Sequence, residues 1–165
     1  MMATEGRHPE SEARMVDVTG KHVSDRVAVA AGLVRMSRET RDLIAARSLA
    51  KGDALEIGRV AGIMGAKRTA DLIPLCHPIG ITAVQVALAP VEEGIEVTAT
   101  VRTAERTGVE MEALTAVMTA GLTVYDMVKG TERGVTLTDV RLLKKTGGRS
   151  GEWLRPGEGL SPSDA

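Results

Sequence analysis

The sequence predicts an α+β fold: a ferredoxin-like antiparallel sheet with helices packed on one face, plus one extra helix. Apolar and polar residues alternate over 95–102, which is typical of a half-buried strand. Apolar residues recur at a spacing near 3.6 over 54–67, which is typical of a helix. The segments follow the order β-α-α-β-β-α-β, which becomes a split β-α-β pattern when one helix is removed.

Local signals delimit each predicted element. Ser37 and Asp53 offer N-cap oxygens to two successive helices. Two prolines bracket a loop at 74–78, and the run 90–94 forms a hairpin turn. The predicted strands are 27–36, 82–89, 95–102 and 135–145, and the predicted helices are 38–47, 54–68 and 108–129.

The long helix at 108–129 is apolar on nearly all of its sides between Ala113 and Val128. A helix that covers one sheet face normally keeps a polar stripe toward water. We therefore expect the second side of this helix to be buried as well, most simply against another subunit.

The two ends differ in composition from the region between them. Residues 1–14 and 154–165 are polar and lack periodicity, and the C-terminal one is rich in Gly, Pro and Ser. We expect both to be disordered. The region 15–153 contains neither a repeat nor a linker and is predicted to be one domain.

Composition excludes several classes of function. The formal net charge is −1, whereas nucleic-acid binders normally carry a basic excess. No apolar run approaches the ~20 residues that a membrane-spanning helix needs. The N-terminus lacks an apolar signal region, and one cysteine forms no internal disulfide. We expect a cytoplasmic protein without nucleic-acid or membrane partners.

Two clusters of candidate residues lie in turns. Lys51 precedes the cap of the second helix, where it is either a site residue or a solvated lysine. Lys67 leads to the run LCHP, which contains Cys76 and His77. Neighbours in an extended loop point apart, so His77 is poorly placed to activate Cys76 as a nucleophile. No Cys/His spacing supplies a tetrahedral metal site, so we expect none. His77 is either a substrate ligand or a structural loop residue.

Two further clusters lie at the ends of the long helix. Glu110 and Glu112 occupy its first turn, where acids also simply favour the helix dipole. Asp126 and Lys129 are neighbours at i and i+3 in an otherwise apolar helix. We expect this pair to be buried, and a buried Asp–Lys pair is common in acid–base chemistry. The glycine-rich basic run at 144–151 suits phosphate oxygens or is a mobile tail.

Several long runs closely resemble the cyclic pyranopterin monophosphate synthase family of molybdenum-cofactor biosynthesis, also called the MoaC family. The resemblance covers roughly 15–153, and its motifs stand in the family's order. These motifs are MVDVTGK, KGD at 51–53, AGIMGAKRTADLIPLCHP at 61–78, TGVEMEALTAV at 107–117, LTVYDMVK at 122–129 and VRLLKKTGGRSG at 140–151.

The resemblance implies a lyase reaction. Family members convert 3′,8-cyclo-7,8-dihydro-GTP to cyclic pyranopterin monophosphate and release pyrophosphate. They are homohexamers, trimers of dimers, with sites at the dimer interface. No redox cofactor is implied, and Mg²⁺ is left open as a counter-ion for the triphosphate.

The resemblance also implies roles for particular residues. Asp126, Lys51 and Lys129 are expected to be catalytic, with the lysines as general acid and base, one of which needs a lowered pKa to act as base. Lys145 is expected to meet phosphate. The expected substrate-binding residues are Arg26, Lys67, Leu75, Cys76, His77, Glu110, Met111 and Glu112.

Three alternatives remain open at this point. A non-catalytic nucleotide-binding oligomeric subunit would not depend on Asp126 or Lys51. A purely structural oligomer would use the apolar helix only as an interface. An enzyme that hydrolyses GTP itself would need a zinc site.

Overall fold

The computed structural model describes residues 13–158 as a five-stranded antiparallel sheet with four helices. This confirms the predicted α+β class. The predicted strands and helices are all present, with boundaries shifted by a few residues. The elements in chain order are β1 (Ser24–Arg35), α1 (Arg38–Ala45), α2 (Ala54–Lys67), α3 (Thr69–Leu72), β2 (Ile81–Val91), β3 (Gly94–Glu105), α4 (Glu110–Val128), β4 (Thr136–Thr146) and β5 (Trp153–Leu154).

The sheet order is β2-β3-β1-β4-β5. Its first four strands therefore have the ferredoxin-like order, and β5 adds a short edge strand. β1 pairs with β3 on one side and with β4 on the other, and the pairing with β4 contains irregularities near Ala30 and Ala31. This places Arg26 beside the end of β4, where Lys145 lies opposite Ala28.

The core consists of aliphatic side chains between the sheet and the helix pair α2–α4. Helix α4 packs across β1, β3 and β4, while α2 lies against α4 and β2. Gly62 permits the close approach of the helices, because a Cβ there would lie 3.1 Å from the Ala116 carbonyl and 3.2 Å from Ala120 Cβ. Close helix packing of this kind keeps a core of mainly aliphatic and small residues dense.

The second side of α4 is only partly covered. Helix α2 packs on it, but Met111, Met118 and Leu122 remain exposed along one stripe. A neighbouring stripe on α2 consists of Ile57, Val60 and Met64, which are exposed as well. Within one chain, α4 is therefore buried against the sheet and α2 but keeps this exposed stripe, and its expected cover by another subunit stays a prediction. No helix within residues 13–158 is both long and apolar enough to cross a membrane.

The C-terminal boundary differs from the prediction. Leu154 was assigned to a disordered tail, but it pairs with Lys144 in the sheet. Further on, Arg155 donates its backbone N–H to the Leu143 carbonyl at 2.8 Å. Arg141 forms an ion pair with Glu158, with Nε and Oε1 2.6 Å apart. These contacts extend the ordered structure to 158, while 1–12 and 159–165 lie outside the described residues.

Candidate functional site

The first group of polar side chains surrounds the carboxylate of Asp126 in the last turn of α4. Lys129 Nζ lies 2.7 Å from Asp126 Oδ1, and Lys51 Nζ lies 2.9 Å from Oδ2. Lys51 comes from the turn before α2 and also donates to the Asp126 backbone carbonyl at 2.8 Å. The structure therefore brings together the three predicted catalytic residues, with one carboxylate between two ammonium groups.

These three side chains are about half exposed, at 54% for Asp126 and Lys129 and 48% for Lys51. The expected burial of the Asp126–Lys129 pair is therefore wrong for the single chain. The reason lies in the geometry of the last helical turn. Met127 and Val128 face the core, whereas Asp126 continues the exposed side on which Met118 and Leu122 lie.

The two lysines lower the pKa of Asp126 to about 2, first through hydrogen bonds from Lys129 and Lys51 and then through their charges. In return, the hydrogen bond and charge of Asp126 raise the pKa of Lys129. A lysine base would need the opposite shift. Within one chain, Lys129 is therefore arranged to hold and donate a proton, not to accept one.

The second group lies at the other end of α4. Glu112 is only 2% exposed, and its Oε2 atom has no hydrogen-bond partner within residues 13–158. Its Oε1 atom accepts a hydrogen bond from Cys76 Sγ at 3.6 Å. Burial, aided by the charge of Glu110, raises the pKa of Glu112 despite its hydrogen bonds from Cys76 and its own backbone N–H.

Cys76 is a half-buried thiol in the loop that follows α3. Burial raises the pKa of its thiol to about 11, and the charge and hydrogen bond of Glu112 act in the same direction. A thiol that stays protonated at neutral pH is a poor nucleophile. The prediction that Cys76 does not act as a nucleophile agrees with this environment.

Asp17, in the segment before β1, was not singled out from the sequence. Its Oδ1 accepts the Thr19 backbone N–H at 2.8 Å. Hydrogen bonds from Thr19, with a smaller contribution from the charge of His77, lower the pKa of Asp17. The N-terminal segment therefore lies close to the LCHP loop. In the sequence, Asp17 is marked only by its place in the motif MVDVTGK.

The third group lines a cavity of about 540 Å³ between the N-terminal segment, the start of α4 and the end of β4. Lys145 Nζ lies 2.8 Å from Glu110 Oε1 inside it. Arg26 lines the same cavity, as do Lys21 and Arg149. The structure thus joins Arg26, Glu110 and Lys145. Lys21 was missed because nothing local distinguishes it from a surface lysine.

The Glu110 carboxyl is held in its ionised form. Burial alone would raise its pKa, but hydrogen bonds from Lys145 and its own backbone N–H, together with the charges of Lys145 and Arg26, hold the pKa below its usual value. Glu110 and Glu112 are only two residues apart, yet their pKa values shift in opposite directions. Lys145, and to a smaller extent Arg26, account for the difference, because both act on Glu110 and neither acts on Glu112.

The remaining predicted residues lie outside this cavity. Lys67, in the last turn of α2, lines a smaller cavity of about 270 Å³ with Ile63 and Ile81. Leu75 and Met111 are exposed apolar side chains near the second group. Among residues 13–158, no group of three or more His, Cys, Asp or Glu side chains is arranged to hold a metal ion.

The first and second groups are far apart in one chain. Asp126 and Glu112 both lie on α4 and are 14 residues apart. A helix rises 1.5 Å per residue, so about 21 Å of helix separates them. One chain therefore carries an Asp–Lys group at one end of α4 and a Glu–Cys–His group at the other.

Comparison with known proteins assigns this arrangement to a family. The MoaC family profile matches residues 15–148. A cyclic pyranopterin monophosphate synthase of Streptomyces coelicolor is 56% identical over 143 residues, 87% of this chain and 84% of the relative. The same-named protein of Rhodospirillum rubrum is 57% identical over 143 residues, 86% of each chain. Cyclic pyranopterin monophosphate synthase 2 of Mycobacterium tuberculosis is 55% identical over 143 residues, 87% of this chain and 86% of the relative. The chain belongs to the MoaC family.

Proposed function

We propose that this chain is a cyclic pyranopterin monophosphate synthase. It converts 3′,8-cyclo-7,8-dihydro-GTP to cyclic pyranopterin monophosphate and releases pyrophosphate. The observation that carries the proposal is the carboxylate of Asp126 between Lys51 and Lys129, in a chain more than half identical to proteins of that name. This rearrangement needs several proton transfers and no net oxidation, so we propose that no redox cofactor takes part.

The Asp–Lys group supplies the proton transfers. Asp126 is ionised at neutral pH and holds both ammonium groups within 3 Å of its oxygens. Lys129 acts as general acid, because its raised pKa keeps the proton until a stronger base forms on the substrate. Lys51 is the proposed base, and its ammonium group must first give up its own proton, after the contact with Asp126 breaks, before the neutral amine can take one from the substrate.

The cavity around Arg26 and Lys145 receives the triphosphate end. Arginine and lysine pair with phosphate oxygens through charge-assisted hydrogen bonds. Glu110 holds the Lys145 ammonium at 2.8 Å, which orients it toward the cavity and limits its mobility. Turnover with and without a chelator tests whether Mg²⁺ acts as a counter-ion for the triphosphate.

The other groups contact the remainder of the substrate. The buried Oε2 of Glu112 has no hydrogen-bond partner among residues 13–158 and is suited to accept a hydrogen bond from a ring N–H. His77 follows Cys76, which contacts Glu112, and we propose that it binds the substrate together with the exposed side chains of Leu75 and Met111. Lys67 adds positive charge at the end of α2.

A complete site needs a second copy of the chain. About 21 Å of helix separates Asp126 from Glu112, which is too far for both to contact the reacting part of one nucleotide. The exposed apolar stripes of α2 and α4 are the kind of surface that another subunit covers. We therefore propose dimers with shared sites, assembled as trimers of dimers in the cytoplasm.

Subunit complementation tests the shared site. Asp126→Asn and His77→Ala are each expected to be inactive alone. The two variants are then co-expressed with different tags. Half of the dimers contain one chain of each variant, and one of the two sites in such a dimer is native. About a quarter of wild-type activity should therefore return. Mixed dimers without activity would place both residues in one chain's site and refute the shared arrangement.

A single-turnover assay tests the reaction itself. The purified chain is mixed with the cyclised dihydro-GTP, and pyrophosphate and the cyclic pterin are followed together. Wild type forms both products, whereas Lys51→Ala binds the nucleotide and stalls. If wild type binds the nucleotide and forms neither product, the chain is a binding subunit and the proposed activity is wrong.

A further inference from the structure

Two glycines at the end of β4 lie against Arg26. Gly147 and Gly148 have φ values of +91° and +73°, a region that favours glycine. A Cβ on Gly148 would lie 3.0 Å from Arg26 Cζ and 3.2 Å from Nη2, and closer still to Nη1. A Cβ on Gly147 would instead collide with the Asp25 backbone carbonyl. A Cβ on Gly147 would also lie 3.1 Å from Arg26 Cγ, so Gly147 faces the backbone and the stem of Arg26, whereas Gly148 faces its guanidinium group.

The guanidinium group of Arg26 is also fixed from the opposite side. Its Nε donates to the Glu105 carbonyl at 3.0 Å, and its Nη2 donates to the Arg106 carbonyl at 3.1 Å. Both carbonyls belong to the connection between β3 and α4. Within residues 13–158, Nη1 has no hydrogen-bond partner. The planar group is thus held between two backbone segments with one nitrogen left for a ligand.

We infer that Gly148 is a positioning residue for substrate binding: its missing side chain lets the Arg26 guanidinium lie against the backbone, beside Lys145 in the 540 Å³ cavity. The inference rests on the proposed function, in which this cavity receives the phosphate groups. A methyl group at 148 displaces the guanidinium, because the atoms that it meets are the far end of a flexible side chain. The two carbonyl contacts and the direction of Nη1 are then lost.

The test compares Gly148→Ala with Gly157→Ala. Gly157 also has a positive φ, of +83°, but a Cβ there meets nothing within 4 Å. Both variants therefore carry the same kind of backbone strain, and only Gly148→Ala contacts Arg26. Gly148→Ala is expected to raise KM by about tenfold while kcat changes by less than about twofold, as for loss of a charge-assisted contact. Gly157→Ala is expected to match wild type.

A double-mutant cycle separates positioning from general damage. In an Arg26→Ala background, Gly148→Ala is expected to have no further effect on KM, because the residue that it displaces is gone. Additive effects in this cycle, or equal KM values for Gly148→Ala and Gly157→Ala, would overturn the inference. Melting temperatures of all variants show whether each one is folded.

Binding of inorganic pyrophosphate, measured by calorimetry, keeps this inference distinct from the proposed activity. If wild type binds pyrophosphate and Gly148→Ala weakens the binding about tenfold only when Arg26 is present, Gly148 positions Arg26. That result would stand even if the chain forms no pterin product. Equal pyrophosphate binding by wild type and Gly148→Ala would refute the positioning role even in an active enzyme.

Discussion

Lys51 Nζ and Asp126 Oδ2 lie 2.9 Å apart, although 75 residues separate them in the chain. The contact joins the turn before α2 to the last turn of α4. It depends on the packing of these two helices, which meet through small residues such as Gly62. The proposed catalytic group is thus assembled by the same helix pair that forms the core.

Replacement of Asp126 by asparagine tests its proposed chemical role. The amide keeps the shape but removes the charge that holds Lys51 and Lys129. We expect kcat to fall by roughly 10²- to 10⁴-fold, the usual contribution of a positioned acid or base. The melting temperature should change little, because the side chain is 54% exposed. Asp71→Asn is the matched control, since Asp71 also pairs with a cation on the surface. Similar kcat losses in both variants would argue against a special role for Asp126.

The pKa of Asp126 reports directly on its two lysine partners. In wild type it is about 2, and we expect it to rise toward the ordinary 3.8 in Lys129→Ala and, to a smaller extent, in Lys51→Ala. NMR titration of the carboxyl carbon measures it. Because the folded-state pKa is depressed, the pairs stabilise the fold only above about pH 4. This contribution is small at so exposed a site, and it is lost as the pH falls toward 2. Arg38→Ala, a surface cation in α1, should leave the pKa of Asp126 unchanged.

Local sequence patterns predicted the longer strands and helices but not the short edge strand β5. The alternation at 95–102 identifies β3 because one face of that strand is buried and the other is not. Strand β5 has two residues and exists only because Lys144 and Lys145 of β4 pair with it. No periodicity can be read from two residues, so the sheet appeared to end at β4.

The site illustrates a different limit of sequence reasoning. A count of apolar residues along α4 predicted a buried Asp126, but the count does not say which side of the last turn faces the core. Lys145 and Glu110 are 35 positions apart, and their contact depends on how β4 aligns with β1. Residues that lie in recognisable motifs could be predicted, whereas contacts set by tertiary register could not.

The Lys145–Glu110 ion pair is expected to stabilise the fold. Both side chains are less than one-third exposed, so Lys145→Met leaves a partly buried carboxylate without its partner. We expect the free energy of unfolding at pH 7 to fall by about 1–2 kcal/mol. The pKa of Glu110 is lowered by the pair, so the loss should shrink as the pH falls below the usual 4.5 of a glutamate. Urea unfolding at several pH values measures it. The double variant Glu110→Gln/Lys145→Met should be more stable than Lys145→Met, because it no longer contains the unpaired carboxylate. If it is not, Lys145 stabilises the fold through packing and not through the ion pair.

The charge of Glu112, unlike that of Glu110, is expected to destabilise the fold. Its pKa is raised, so its charge opposes folding and the protein loses stability as the pH rises past the usual glutamate value of 4.5. Glu112→Gln removes that charge and should raise the free energy of unfolding by about 1 kcal/mol at pH 8, with a smaller gain near pH 4. Substrate affinity should fall in the same variant. Glu110→Gln is the control, and it should destabilise the fold. A destabilised Glu112→Gln would indicate that the carboxylate is needed by the fold itself.

Alkylation rates can test the environment of Cys76. With a pKa of about 11, its thiolate fraction at pH 8 is about 10⁻³, so iodoacetamide should react about a hundredfold more slowly than with a free cysteine. Glu112→Gln should speed the reaction, because it removes a negative charge that disfavours the thiolate. Cys76→Ser should keep kcat within a few-fold of wild type, since a protonated thiol does not attack the substrate. Mass spectrometry of timed samples measures the rates. A reaction that levels off well below pH 9, together with an inactive Cys76→Ser, would instead identify Cys76 as a nucleophile.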